Sequence, residues 1–385
     1  MPKLLLAGAG HAHMAVMAAI PQLRARGHQV TAIGPGHRHS YSGMGPGMLG
    51  GAYTPDEISF PVRNMIENRG GEFITGIVAT INPRRNRVVL ESGQEVPYDV
   101  LSCNLGSFVP DDILASGPDE PSFQSLASRN IFPVKPIEQL FWARQRIQEL
   151  AQDRQVRIGV CGGGAASVEV AGNAWVAAMS GEGKGGIVQL FARGALLKTM
   201  PEKVRGLVRK TFRGRKIKIF EESPVLSVHN GSILLANGQS HTQDMIFLAL
   251  GVKPSSVFRA SGLEVSRDGG LLVNQFLQCP AHPDIFGGGD CITFSPQPLA
   301  KVGVYAVRQN PVLRHNLQAQ LEGRPLEPFD PGGGYLLIFN LGGGYGILHK
   351  NGFAFGGRTA FRIKDYIDRK FIQKYAITRS LSTDD

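Results

Sequence analysis

Two stretches of this chain share one pattern of apolar, small and polar positions. LLLAGAGHAHMAV (residues 4–16) and IGVCGGGAASVEV (158–170) each pass from an apolar run through a glycine cluster into small and apolar residues suited to a helix. After the first, HMAVMAAIPQLRARG predicts a helix and HQVTAIGPG a strand; after the second, GGGAASVEVAGNAWVAAM predicts a helix and IVQLFARG a strand. Both copies therefore read strand–turn–helix–strand, with Gly8 and Gly162 standing 154 residues apart (162 − 8). The repetition continues downstream. LESGQEVPYDVLSCNLG (90–106) aligns with LANGQSHTQDMIFLALG (235–251), so Leu90, Gly93, Gln94, Asp99 and Gly106 recur 145 residues later (235 − 90) as Leu235, Gly238, Gln239, Asp244 and Gly251. Each segment predicts strand–turn–strand and closes with an apolar strand ending in glycine.

A strand, a glycine turn and a helix in this order are the layout of a dinucleotide-binding βαβ unit. The glycines permit the tight turn and a close approach of the backbone, and the helix N-terminus faces a pyrophosphate. One such turn is weak evidence; two, each with a matching β-segment, predict tandem dinucleotide-binding domains, one of them for a flavin. HPDIFGGGDC (282–291) ties the first of these to FAD, because a strand ending in Gly289-Asp290 can set a carboxylate against the hydroxyls of a ribityl chain. The following KVGVYAVRQNPVLRHNL predicts a helix, with Gly303 at its start, whose N-terminal dipole would favour the negative charge of reduced flavin.

These residues resemble the two-dinucleotide-binding-domain flavoproteins, in particular the type II NADH dehydrogenase-like group, and within it the FAD-dependent oxidoreductase that occurs fused to selenide, water dikinase. AGAGHAHMAV, YSGMGPGMLGGAYTPDE, IFPVKPIEQ, IFGGGDC, KVGVYAVRQNPVLRHNL and FRIKDYIDRKF carry the likeness, spread from residue 7 to 371, and no kinase-like half is present. The resemblance implies an α/β fold of tandem Rossmann-like FAD and NAD(P) domains with a small C-terminal domain. The expected limits are 1–110 and 265–325 for the FAD domain, 111–264 for the NAD(P) domain and 326–385 for the C-terminal one. It implies non-covalent FAD, NADH or NADPH as donor, and electrons passed on to a quinone or another small acceptor. Gly8, Gly10, His11 and Ala12 would line the FAD pyrophosphate, with Ser42, Gly43, Val78, Gly106, Gly289, Asp290 and Gly303 also on the cofactor. Gly162, Gly164 and Ala165, with Gly251, would serve NAD(P), and Glu169 would lie close to the nicotinamide.

The chain departs from the pattern in four places. His13 and Ser167 replace the third glycine of the two turns. The acid that binds ribose at the end of each second strand is missing, since those strands end in Gly34-Pro35 and Ala192-Arg193. Backbone groups or Arg38 would substitute in the first domain; in the second, Arg193 is either a solvated arginine or the acceptor of a 2′-phosphate, favouring NADPH. Lys135 is expected near the flavin or paired with Glu169, or else exposed on the linker, and Lys301 is a similar candidate at the flavin edge. HAH (11–13) and HRH (37–39) place four imidazoles near one end of the sheet, but the phosphate-binding turn already accounts for the first pair, and no metal is expected.

Composition narrows the partners. A net charge of +10 and a pI of about 9.6 favour anionic ones. Nucleic acid is not expected, as no recognised module accompanies the charge. The basic run over 193–218 reads as the wet face of a helix with Val204, Leu207, Val208 and Phe212 buried. In the C-terminal segment Ile363, Ile367, Phe371 and Tyr375 fall four apart among basic residues. The helix they predict packs on the core, spans a dimer interface, or lies on an anionic membrane. The four cysteines, Cys103, Cys161, Cys279 and Cys291, include no close pair, which speaks against a disulfide framework or dithiol motif. No secretory signal and no apolar stretch of about 18 residues is visible, so the expected location is cytoplasmic, at most against the inner face of a membrane. Three functions stay open: an NAD(P)H:quinone-type dehydrogenase, a flavoprotein acting on sulfur or selenium compounds through Cys279 and Cys291, and a flavin-binding interaction protein with little turnover.

Overall fold

The computed structural model describes residues 1–110, 113–114, 123–229 and 231–376. Its frame is two parallel sheets with the same strand order. Strands β1 (Lys3–Ala7), β2 (Gln29–Gly34), β3 (Glu72–Thr75) and β4 (Val100–Cys103) belong to the first. Strands β5 (Ile131–Pro133), β6 (Val156–Cys161), β7 (Gly186–Phe191), β8 (Lys218–Phe220) and β9 (Met245–Leu248) form the second, and β10 (His282–Gly287) returns to the first. The orders are β10–β4–β1–β2–β3 and β5–β9–β6–β7–β8, with a short antiparallel strand, Gln278–Cys279, on the outer edge of β10. The central strands are apolar because helices and loops cover both faces: all four residues of β4 and of β9 are buried. Two adjoining hydrophobic cores result, one around each sheet.

The sequence repeat is also a repeat of hydrogen bonds. Asp99 accepts the Lys3 amide (2.6 Å) and Asp244 the Arg157 amide (2.8 Å), so each fixes the chain entering the strand that leads to a glycine turn. Leu90 and Leu235 each donate to a glutamine carbonyl, Gln94 and Gln239, at 2.9 Å across tight turns at Gly93 and Gly238. These turns lie in three-stranded antiparallel sheets that connect β3 to β4 and β8 to β9.

The helices that bear on the sites are α1 (Met14–Ala18), α2 (Ala165–Met179), α3 (Glu202–Gly214), α4 (Gly303–Leu321) and α5 (Arg358–Ala376), and a further helix, Gln139–Asp153, packs against α2. In α3, Val204, Val208 and Phe212 are fully buried at successive turns, as the pattern predicts, and Leu207 only half-buried, while Arg205 and Arg209 pair with Glu202 and Glu221. Helix α5 lies against a three-stranded antiparallel sheet, Leu337–Asn340, Gly346–Lys350 and Phe353–Gly357, and crosses to the Ser59–Phe60 strand of the first half. Of the apolar residues expected to face inward, Tyr375 is buried and Phe371 packs against the first core, but the face departs from the pattern at Ile367. Ile367 is 43% exposed, whereas Asp368 is buried and Lys364 nearly so. The two charges face inward because they satisfy each other and the polar groups beneath them.

Candidate cofactor site

Each glycine turn packs its first glycine against the strand that closes its own half. A Cβ on Gly8 would lie 2.2 Å from the Asn104 carbonyl oxygen, and one on Gly162 would lie 2.2 Å from that of Ala249, the residue 145 positions on. Both glycines have positive φ, +98° and +140°, so side chains are excluded by conformation as well as by space. The two missing third glycines are explained here. His13, fully buried, has its ring nitrogens 2.6 Å from the Gly8 carbonyl and 2.8 Å from Ser102 Oγ. Ser167 donates to the Gly164 carbonyl at 2.7 Å. Each replacement braces the turn it follows, and burial draws the His13 imidazole down to about 4.

Above the first turn lies a cleft of about 470 Å³. Gly8, Gly10, His11, Arg38, Ser42, Val78, Gly106, Lys135, Gly289, Asp290 and Gly303 all line it. Ala12 sits beneath it, fully buried against Gly288, and Gly43 stands beside Ser42 with its carbonyl accepting Lys364 Nζ at 2.9 Å. Gly34, Pro35 and Gly36 line the place of the missing ribose acid, while Arg38 pairs with Asp56 at 3.1 Å. The residues fit FAD. Gly8 and Gly10 let the turn lie directly against Asn104, which a Cβ at either position would strike, and two buried polar atoms, His11 Nε2 and Asn104 Oδ1, have no protein partner. Helix α4 opens on the cleft at Gly303 and Ala306.

Asn104 has no counterpart in the sequence reading. Its Nδ2 donates to the Gly288 carbonyl at 2.7 Å, tying the two inner strands β4 and β10 together under the cleft, and its Oδ1 lies where a Gly10 side chain would be. Its repeat partner is Ala249, so the internal alignment held no signal for it.

Lys135 does not meet Glu169. It donates to Asp290 at 2.7 Å and to Ser107 Oγ at 2.8 Å, so the Asp290 carboxylate carries its own cation. Lys301 does not line this cleft: Asp268 (3.0 Å) and the Ile292 carbonyl (3.0 Å) hold its ammonium beside a separate small pocket that Gly289 and Asp290 also line.

The second turn borders a cleft of about 550 Å³ lined by Gly163, Gly164, Ala165, Arg193, Lys198 and Glu222, among others. Gly162 underlies the turn, and Gly251, at φ +88°, closes the equivalent of the Gly106 strand end without lining this cleft. Glu169 sits just over a turn into α2. Its Oε1 accepts the Asn340 amide at 2.7 Å, and its neighbours are Lys364 and Asp368 of α5. Burial pushes the Glu169 carboxyl up to about 7, with Lys364 and the Asn340 N–H opposing and Asp368 reinforcing. Lys364 binds Asp368 at 2.8 Å, and Tyr41 donates to the same carboxylate at 3.2 Å. Hydrogen bonds thus tie α5 to the Tyr41–Gly43 loop, while Glu169 of α2, which lines neither cleft, feels Lys364 and Asp368 electrostatically without a direct bond to them.

The four cysteines are buried and unpaired, and none lines either cleft. Burial pushes Cys161 up to about 12 and Cys291 to about 11, so neither is a ready thiolate. Of the four histidines near the first turn, His11 and His39 meet, while His13 is held by Gly8 and Ser102, and His37 by Arg63. No cluster of three or more metal-ligating side chains occurs among the described residues.

Comparison with known proteins accords with this geometry. Residues 2–316 match the family model "Pyridine nucleotide-disulphide oxidoreductase". The chain is 26% identical over 321 residues to the FAD-dependent oxidoreductase FVFD30 of Flammulina velutipes, covering 80% of this chain and 92% of that one. It is 26% identical over 299 residues to the type II NADH:quinone oxidoreductase of Haemophilus influenzae, covering 68% and 67%. Its fold superposes on the sulfide:quinone oxidoreductase of Aquifex aeolicus with a TM-score of 0.79 at 16% identity, over 98% of this chain and 92% of that one. The chain belongs to the pyridine nucleotide-disulphide oxidoreductase family, as an oxidoreductase whose cofactors are FAD and a nicotinamide dinucleotide.

Proposed function

We propose that this protein is an NAD(P)H dehydrogenase that passes electrons through FAD to a quinone. The observation that carries the reading is the pair of separately built glycine-turn clefts in one chain, one over Gly8 and Gly10 and one beside Gly163 and Gly164. In this reading 1–110 with 265–325 forms the FAD-binding unit, 111–264 the NAD(P)-binding unit and 326–385 the C-terminal unit. FAD when bound supplies the ring that takes hydride from the nicotinamide. The chain holds the two cofactors in register: the turn backbones face the diphosphates, and Lys135 and Ser107 fix Asp290 at the first cleft.

Reduction of a quinone by NAD(P)H consumes one proton from solvent. Glu169, whose carboxyl burial pushes up to about 7 with Lys364 opposing, is our candidate for the residue that holds that proton. Arg193 and Lys198 set two cations against the single acid Glu222 in the second cleft, which supports NADPH over NADH. The quinone assignment draws on the activities named for the Haemophilus and Aquifex relatives. Tyr366 and Ile367, 65% and 43% exposed beside basic Arg362 and Lys370, are our candidates for peripheral contact with an anionic membrane or with a second copy of the chain.

Steady-state assays with a water-soluble quinone test the reading. Wild type should oxidise NADPH faster than NADH at equal concentration and reduce the quinone stoichiometrically. Under anaerobic conditions, flavin that the nucleotide reduces and quinone fails to reoxidise would exclude quinone as the acceptor.

A further inference from the structure

The HAH and HRH segments do not build a metal site, yet one histidine from each ends in the first cleft. His39 Nε2 lies 3.2 Å from His11 Nδ1, with ring centroids 4.9 Å apart at 69°, and both residues line the cleft beside the glycine turn. In the neutral pair one hydrogen occupies that contact. The remaining His11 nitrogen, Nε2, is buried and has no protein partner. The His11 ring cannot turn away to find one, because Tyr41 (5.1 Å), Phe60 (6.1 Å) and Phe371 of α5 (5.8 Å, stacked) box it in.

The charges facing the pair are few. Lys135 faces both rings, although Asp290 binds its ammonium; Glu138 faces His39; and the Tyr41 hydroxyl is committed to Asp368, itself paired with Lys364. Burial holds both imidazoles below their ordinary value, His39 near 4, so before cofactor binds the pair is neutral at pH 7. A diphosphate cradled by the same turn would bring two negative charges into this cleft. Nearby negative charge raises an imidazole's proton affinity, and within a desolvated cleft the effect is large.

We propose that His11 and His39 form a proton-gated contact for the FAD diphosphate: binding FAD draws one proton from solvent onto the pair, and the resulting imidazolium helps retain the cofactor. The step is FAD plus one proton plus the neutral pair giving the bound complex, with no bond made or broken in the flavin. The inference rests on the assignment of the first cleft to FAD.

The test is to dilute the purified holoprotein between pH 6 and 8 and read released FAD by its fluorescence. The protonated pair binds more tightly, so the apparent Kd rises with pH, approaching tenfold per unit where one proton is linked. His39→Gln and, separately, His11→Phe, which keeps the aromatic box, should flatten this dependence and weaken binding most at pH 6. A Kd constant with pH in wild type, or a slope retained in both variants, overturns the proton gate while leaving the cleft assignment intact. A wild-type protein that retains no FAD at any pH overturns the assignment itself.

Discussion

A single methyl group added to either glycine turn should separate the two cofactors. In Gly162→Ala the new Cβ would stand 2.2 Å from the Ala249 carbonyl oxygen and 2.8 Å from its carbon, with φ at +140°. Relief requires the turn to withdraw from β9 by about 1 Å. The conformational penalty is about 1–2 kcal/mol and the crowding about 1–3 kcal/mol. A turn displaced by that distance misplaces the nucleotide enough to slow hydride transfer by about 100-fold. Gly8→Ala meets the same obstruction from Asn104 at φ +98°, in the other half of the molecule. Absorbance of the purified variants and anaerobic reduction at fixed NADPH separate the outcomes. Gly162→Ala should carry a full complement of FAD that NADPH reduces slowly; Gly8→Ala should lack FAD. If Gly162→Ala lost FAD and Gly8→Ala kept it, the two clefts would be exchanged. Two fully active variants would refute the argument that these turns carry the cofactors.

Other expectations follow from the buried ionisable groups. Glu169→Gln should flatten the activity profile around pH 7 and remove the cost of ionising a carboxyl whose value in the fold is about 7. Because that value is raised, the group's contribution to stability is present below about pH 4.5 and lost through 7, so urea unfolding of the variant should show a pH slope smaller by about 3 kcal/mol over that window. Lys364→Met leaves Asp368 and Glu169 without their cation and should destabilise by about 3–5 kcal/mol by urea unfolding at pH 7.5, as breaking a buried pair does. A variant as stable as wild type would show that α5 is not anchored through this pair. His13 has the opposite sign. Its value is depressed to about 4, so it weakens the fold as pH falls from 6.5 towards 4, and His13→Gln should shrink that acid-side loss by about 3 kcal/mol in the same unfolding measurement.

The repeat was readable because it is written in residues whose roles are backbone geometry. Gly8 and Gly162 must pack against a carbonyl, and Asp99 and Asp244 must accept a strand's first amide, so both recur at fixed spacing. Asn104 was not readable, since its work depends on one side chain meeting Gly288 and Gly10, and the repeat has alanine there. Helix α5 was readable at Phe371 and Tyr375 but not at its charged inward residues, for a different reason. Inward-facing Lys364 and Asp368 look like a wet face until the structure supplies Gly43, Tyr41 and Glu169 as partners. Lys135 and Lys301 were read from neighbouring sequence alone, which cannot say which carboxylate each will find; Asp290 and Asp268 hold them.

The most direct measurement is an anaerobic titration of the purified holoprotein with NADPH, then with excess quinone, following the flavin's visible absorption. Bleaching complete at about one NADPH per flavin, and full recovery on adding quinone, is the expected result. A yellow protein that neither NADPH nor NADH bleaches would contradict the assignment of the second cleft, and with it the proposed function.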